Sequence, residues 1–284
     1  GGAFEAILGV PLFNTIFGVF GKTYYWTAGL YEKRLGMSRA QTVFEHPILY
    51  GLFMSMLLGP IFMSPNKAGK PAGMKRAFPI ALGVLFCLSS APLLSTMVQF
   101  ALIGWGWVLK SVRARWKLLT ILTILGYFVV DAISNRSPFE VFITYLTFNA
   151  GTGYWRILTF TYGMENVWAN PVFGIGPAGY WVRPSWMQNS SVDNFWLVLA
   201  LRYGIMAFVL FAAAFAFAMR ELIKARPASQ QIAQERNGLV FMMIGLFIGL
   251  CTVHVWGPTS AMVTFMMGVG AWISESPTAT EEAS

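Results

Sequence analysis

The chain has 284 residues, of which 56% are hydrophobic and only 11% charged, with a formal net charge of +8. A soluble domain carries about 25% charged residues, so this chain lacks the charge to cover a water-facing surface, and its expected solvent is the bilayer. The positive balance does not imply a nucleic-acid partner, because the basic residues fall in short loops between apolar runs, as the positive-inside rule of membrane proteins requires.

The chain opens on Gly1-Gly2, without methionine and already near an apolar run, and N-terminal spans of a longer protein are expected to be missing. No signal peptide is visible. Apolar stretches follow at 4–20, 46–63, 77–90, 92–109, 116–133, 194–219 and 238–273. A crossing takes roughly 20 residues. The last stretch is too long for one and is broken at "HVWGPTS", so it is read as 238–256 and 259–274. The 77–90 run is short, and 4–20 is interrupted by Glu5, Pro11 and Asn14. The expected fold is all-α: a polytopic integral-membrane helical bundle, one membrane domain over 1–284, with about seven to eight apolar segments and one long external loop.

Loop charge sets the orientation. The segments "PNKAGKPAGMKR" (65–76), "KSVRARWK" (110–117) and "RELIKARPASQQIAQER" (220–236) are rich in Lys and Arg and are expected on the cytoplasmic side. The hairpin 77–109 then turns outside at "SSAP", and 134–193 forms the external loop. Within that loop, 138–168 has helical apolar spacing suited to a membrane surface, and "NPVFGIGPAGYWVRP" is turn chemistry. The acidic tail 275–284 is expected to be disordered. The loop 21–45 breaks the rule: it carries Lys22, Lys33, Arg34 and Arg39 against Glu32 and Glu45, yet parity puts it outside. An anionic substrate on the outer face would explain those cations.

Candidate chemistry gathers near the external face. Asp193 and Asn194 precede an apolar helix. They read either as N-caps or as a carboxylate acting as base beside a polar partner. Arg202 lies about 12 Å further along that helix, as a buried partner or a functional charge. Arg156, in "GTGYWRILTFTYGMENVW", either touches lipid headgroups or grips a phosphate, and Arg183 in "GYWVRP" has the same two readings. Glu165 is placed on a nearby face of the Arg156 helix, as a solvated carboxylate or a site residue. His46, in "FEHPILYG", opens a span as a structural hydrogen-bonder or a ligand contact. Cys87 and Cys251 sit in apolar runs and are expected to pack as small hydrophobes without a disulfide. No His/Cys/Asp cluster has metal spacing, no Asp-x-Asp pair suits a metal-bound nucleotide sugar, and no P-loop is present, so no metal or cofactor is expected.

Taken in order, these segments resemble the O-antigen ligase/O-antigen polymerase family of bacterial membrane proteins. "FEHPILYG" is similar to that family's Phe-x-His-Pro segment entering a span. "YWRILTFTYGMENVWANPVFGIGPAGY" resembles its arginine-containing helix followed by a P-x-x-G-x-G turn. "DNFWLVLALRYGIMA" resembles its His-Asn, nine residues, Gly, two residues, Gly motif, with Asp193 in the His position and Ala207 in that of the second Gly. The hairpin that often reads Ser-Arg in the family is "SSAP" here.

The resemblance implies a metal-independent glycosyltransferase of the bacterial inner membrane with its site facing the periplasm. Its partners would be an undecaprenyl-diphosphate-linked glycan, membrane lipid and other polysaccharide-assembly proteins. It implies that Arg156, with Arg39 as a further candidate, holds the diphosphate and that Asp193 assists the acceptor hydroxyl. Arg183 or Arg202 would replace the arginine missing at "SSAP". The histidine departure leans towards a polymerase, and the wording of "FEHPILYG" resembles most the family's exopolysaccharide members. A ligase of the same family, and a transporter or flippase, are the competing expectations.

Overall fold

The computed structural model describes residues 1–19, 33–145, 150–187, 189–227 and 229–274. Among these the chain forms helices and one small hairpin. The helices are α1 (Gly2–Leu8), α2 (Leu12–Phe17), α3 (Pro47–Met63), α4 (Met74–Phe86), α5 (Ser90–Val108) and α6 (Arg115–Ile133). They continue with α7 (Pro138–Tyr145), α8 (Ala150–Ala169), α9 (Phe195–Lys224), α10 (Gln230–Leu250) and α11 (Gly257–Ser274). Strand β1 (Lys33–Arg34) pairs antiparallel with β2 (Met37–Ser38). The protein is mostly helical, and among the described residues three helices, α5, α6 and α9, are long and apolar enough to cross a membrane.

Helix α10 is central, with α3 and α5 on one side and α9 and α11 on another. Leu52, Met56, Met242, Met243, Leu246 and Leu250 belong to their shared core. Small residues let the backbones approach, as in membrane bundles. A β-carbon on Gly59 would lie 2.5 Å from the Gly238 carbonyl. One buried polar side chain is built into this contact. Gln99 accepts from Gly59 N–H at 2.9 Å and donates to Ser55 C=O at 2.9 Å. It thereby bridges the two groups that close that turn of α3, next to Pro60, which has no amide of its own.

The expected span 4–20 does not form as one helix. Gly9 takes a left-handed conformation (φ 67) that ends α1, and Pro11 supplies no amide to carry it on. Instead α1 turns a buried Glu5 inward, where its Oε2 accepts from the amides of Gln41 (3.1 Å) and Thr42 (2.6 Å). Helix α4 has 13 residues, about 20 Å in length, short of a crossing as its sequence suggested. The 238–273 run is indeed broken, between α10 and α11 at 251–256. Helices α7 and α8 fall in the stretch 138–168 that reads as helical. No residue of α6 is buried; a helix apolar on all sides belongs in hydrocarbon. The tail 275–284 and Lys22 and Glu32 lie outside the described residues.

The bundle has two distinct ends. The basic connections α3–α4, α5–α6 and α9–α10 lie at one, where Gln234 Nε2 donates to the Gly69 carbonyl at 3.0 Å. The starts of α3, α5, α9 and α11 and the ends of α4 and α10 lie at the other, about 30 Å away along α10.

Candidate functional site

Helix α9 is interrupted. Gly204 has φ 86 and ψ 170, so the chain leaves helical geometry there and resumes it afterwards. Such a break strands the carbonyls before it and the amides after it. The turn 171–179 takes them up. Ile175 N–H donates to Leu201 C=O (2.9 Å), Gly176 N–H to Arg202 C=O (3.0 Å), and Pro171 C=O accepts from Ile205 N–H (2.8 Å). The close fit requires glycine on both sides: a β-carbon on Gly174 would meet the Arg202 carbonyl carbon at 2.5 Å. Asn166 of α8 ties the same loop down through Val182, donating to its carbonyl at 2.7 Å and accepting from its amide at 2.8 Å. The P-x-x-G-x-G turn and the Asp-Asn helix are therefore one interlocked unit.

At the start of α9 the adjacent polar residues divide two jobs. Asn194 is the cap: its Oδ1 accepts from Leu197 N–H at 2.9 Å, and its Nδ2 donates to Cys251 C=O at 3.0 Å. Phe195 N–H bonds the Val253 carbonyl at 3.0 Å, which completes the tie to the α10–α11 connection. Asp193 is thereby released from capping. Its Oδ1 accepts from Ser191 Oγ at 2.8 Å, and among the described residues it enters no ion pair.

Asp193 borders a cavity of about 490 Å³ at this end of the bundle, together with Arg34, Arg39, Arg202, His46 and His254. Each cation is held from behind. Arg34 Nη1 donates to Leu88 C=O at 3.1 Å and Arg39 Nε to Cys87 C=O at 3.3 Å. Arg202 Nη1 reaches Pro177 C=O at 2.6 Å. Arg39 is buried, so its charge is presented through the cavity and not to bulk water. The Glu5 carboxylate, gripping the amides of Gln41 and Thr42, braces the segment that carries it. Together the three guanidiniums form a fixed positive wall suited to an anion with several oxygens.

Asp193 also borders a much smaller cavity of about 10 Å³, shared with Arg156, Thr159 and Asn194. Burial lowers the Arg156 pKa from its ordinary value, Asp193 raises it, and Arg34 adds to the lowering. Its Nε is buried and has no hydrogen-bond partner among the described residues. Asp193 thus stands between Arg156 on one side and the open cavity on the other.

His46 caps α3: its Nδ1 accepts from Ile48 N–H at 3.1 Å, with Pro47 at the first helical position. The same ring lines the cavity. His254 stacks on Phe195 at 6.2 Å and approaches Trp256 at 5.9 Å. Burial, then the nearby Arg202, pushes the His254 pKa down to about 4, against a smaller upward pull from Asp193. Its imidazole is neutral at pH 7.

Two expected site residues stand apart from the cavity. Glu165 is exposed, because nine residues at 3.6 per turn carry it two and a half turns from Arg156, onto the opposite face. Arg183 folds back on its own turn, donating to Met187 C=O at 2.9 Å and lying over Trp181. Asn194 is structural. Arg34, one of the external cations of the loop 21–45, lines the cavity, and so do His254 and Trp256, which no sequence motif marks. His254 had a weak signal, as one of only two histidines, both placed just before a helix.

Among the described residues no group of three His, Cys, Asp or Glu side chains is arranged to hold a metal ion. No family model matches this chain, and no curated protein matches it.

Proposed function

We propose that this chain is a multi-pass glycosyltransferase of the bacterial inner membrane. It polymerises undecaprenyl-diphosphate-linked repeat units of O-antigen or exopolysaccharide at the periplasmic face, without a metal. The observation that carries this reading is the convergence of Arg34, Arg39 and Arg202 with Asp193 in one cavity, with Arg156 behind the carboxylate. That cavity lies at the bundle end opposite the basic loops, which the positive-inside rule assigns to the cytoplasm. In this reading about seven to eight apolar segments cross or enter the bilayer.

The acceptor hydroxyl attacks the anomeric carbon of the donor sugar as the bond from that carbon to the diphosphate oxygen breaks. The diphosphate leaves with the electron pair, and the arginines neutralise its growing charge. The hydroxyl proton passes to the Asp193 carboxylate. Arg34 and Arg39, anchored on the carbonyls of Leu88 and Cys87 immediately before the "SSAP" turn, supply charge where the resembling family carries an arginine within that turn. Asp193 in the histidine position favours a polymerase over a ligase.

The test is the lipid-linked glycan profile of a strain lacking the full-length gene. Single repeat units on undecaprenyl diphosphate, with no polymer, are expected. Long lipid-linked chains that never reach a final acceptor would make it a ligase. An unchanged profile would overturn the glycan reading.

A further inference from the structure

The lining of the cavity has two chemically different parts. Arg34, Arg39 and Arg202 make a cationic one, with Arg202 near His254. The connection between α10 and α11, with the start of α3, makes an aromatic one from Trp256, His254 and His46. The Trp256 ring lies 6.0 Å from that of His46 and 5.9 Å from that of His254. Its indole N–H donates to Glu45 Oε2 at 2.7 Å, which fixes the orientation of the ring. A tryptophan at a membrane interface ordinarily gives its ring to lipid; this one lines a polar cavity. His254 Nδ1 is buried without a hydrogen-bond partner among the described residues. The imidazole therefore meets a ligand through the part of the ring that lines the cavity.

A diphosphate does not suit the aromatic part. The face of an aromatic ring carries the negative part of its quadrupole and repels an anion. A ligand with an apolar face and a polar rim does suit it. A pyranose ring is such a ligand: its axial C–H bonds form an apolar, slightly positive face, and its hydroxyls project from the edge.

Building on the glycosyltransferase reading, we propose that Trp256 and His254 form the sugar-ring subsite of the acceptor. The ring rests on the Trp256 indole, one hydroxyl pairs with the edge of the His254 imidazole that lines the cavity, and the reacting hydroxyl is thereby directed at Asp193. The arginines hold the donor diphosphate. Glu45 acts at one remove, as the residue that positions the indole.

The experiment uses full-length protein in membranes of a strain lacking the chromosomal gene. The substrate is lipid-linked glycan extracted from that strain, supplied over a range of concentrations. Trp256→Ala and His254→Ala are expected to raise KM about ten-fold with kcat little changed. Trp256→Phe, which keeps an aromatic face, retains most of the activity, and His254→Gln, which keeps an acceptor, retains part. Asp193→Asn serves as the reference for the catalytic reading and loses turnover at every concentration. If Asp193→Asn is inactive while Trp256→Ala and His254→Ala keep their KM, the subsite is overturned and the catalytic reading stands. Equal loss in Trp256→Phe and Trp256→Ala also overturns it, because the ring face is then not what matters. If Asp193→Asn transfers glycan normally, the catalytic reading falls and takes the subsite with it.

Discussion

The carbonyl of Val172 occupies the place where a side chain at Gly204 would begin. Through this contact the turn 171–179 is seated in the break of α9, and Arg202, two residues before the break, is aimed into the cavity.

Gly204→Ala is therefore expected to be severely destabilising. The backbone conformation alone costs an L-residue about 1–3 kcal/mol, and the clash with backbone cannot be relieved by a rotamer change. Gly126→Ala in α6, where an added β-carbon meets nothing, is expected to be neutral or to stabilise by up to about 1 kcal/mol. Thermal unfolding of the detergent-solubilised protein compares the two. A wild-type Tm for Gly204→Ala would show that the loop is not locked in this way.

Asp193→Asn should abolish polymer in cells while protein level and membrane insertion stay normal, because Asn194 does the capping. Asn194→Ala should instead cost about 1 kcal/mol of stability and lower the amount of folded protein. Immunoblots of membrane fractions beside glycan gels separate the two effects. Normal polymer from Asp193→Asn would remove the assigned role.

On the proposed function, Arg39→Ala and Arg34→Ala are each expected to reduce polymer, since a leaving diphosphate would lose a charge-assisted contact. Arg183→Ala and Glu165→Gln should leave it unchanged, because neither side chain reaches the cavity. Quantifying lipid-linked single units in the four variants tests this. Equal effects from both pairs would mean that the cavity is not where the donor sits.

Gln99→Leu conserves bulk but leaves Gly59 N–H and Ser55 C=O without their buried partner. A loss of about 1–3 kcal/mol is expected, with KM unaffected in the molecules that remain folded. An unchanged Tm would show that the two groups bond each other adequately without the glutamine.

The His254 pKa gives a pH test. It lies near 4 in the folded protein against 6.5 ordinarily, so between those values the unfolded chain binds the extra proton. Stability must then rise with pH through this window and fall as pH drops from 6.5 towards 4. The titratable and charged neighbours on the packed elements are Asp193, Arg202, Arg34, Arg39, His46 and Glu45, and they are common to both proteins compared. His254→Gln is expected to flatten the fall in Tm between pH 7 and pH 5. Parallel pH curves for wild type and variant would contradict a desolvated imidazole.

The amino-acid sequence alone determined the helical class, most helix positions and the apolar runs long enough to cross a membrane. Continuous apolar length and loop charge are local properties, and bilayer physics acts on them segment by segment. That is why the runs at 46–63, 92–109, 116–133 and 194–219 appear as α3, α5, α6 and α9. It also placed Asp193, Arg156, Arg39 and His46 near one end of the bundle, since parity orders helix ends without knowledge of packing. Only the tertiary structure decided which of two neighbouring polar residues caps α9, because Asn194 can also reach the carbonyl of Cys251 and Asp193 cannot donate to one. It decided that Gly9 and Pro11 fold the first apolar run into two short helices, with Glu5 clamping the segment that bears Arg39. It turned Glu165 to the far side of α8, a consequence of helical phase that proximity in sequence conceals. And it brought Arg34 into one cavity with His254 and Trp256 from two segments more than 200 residues apart, a distance that no sequence pattern spans.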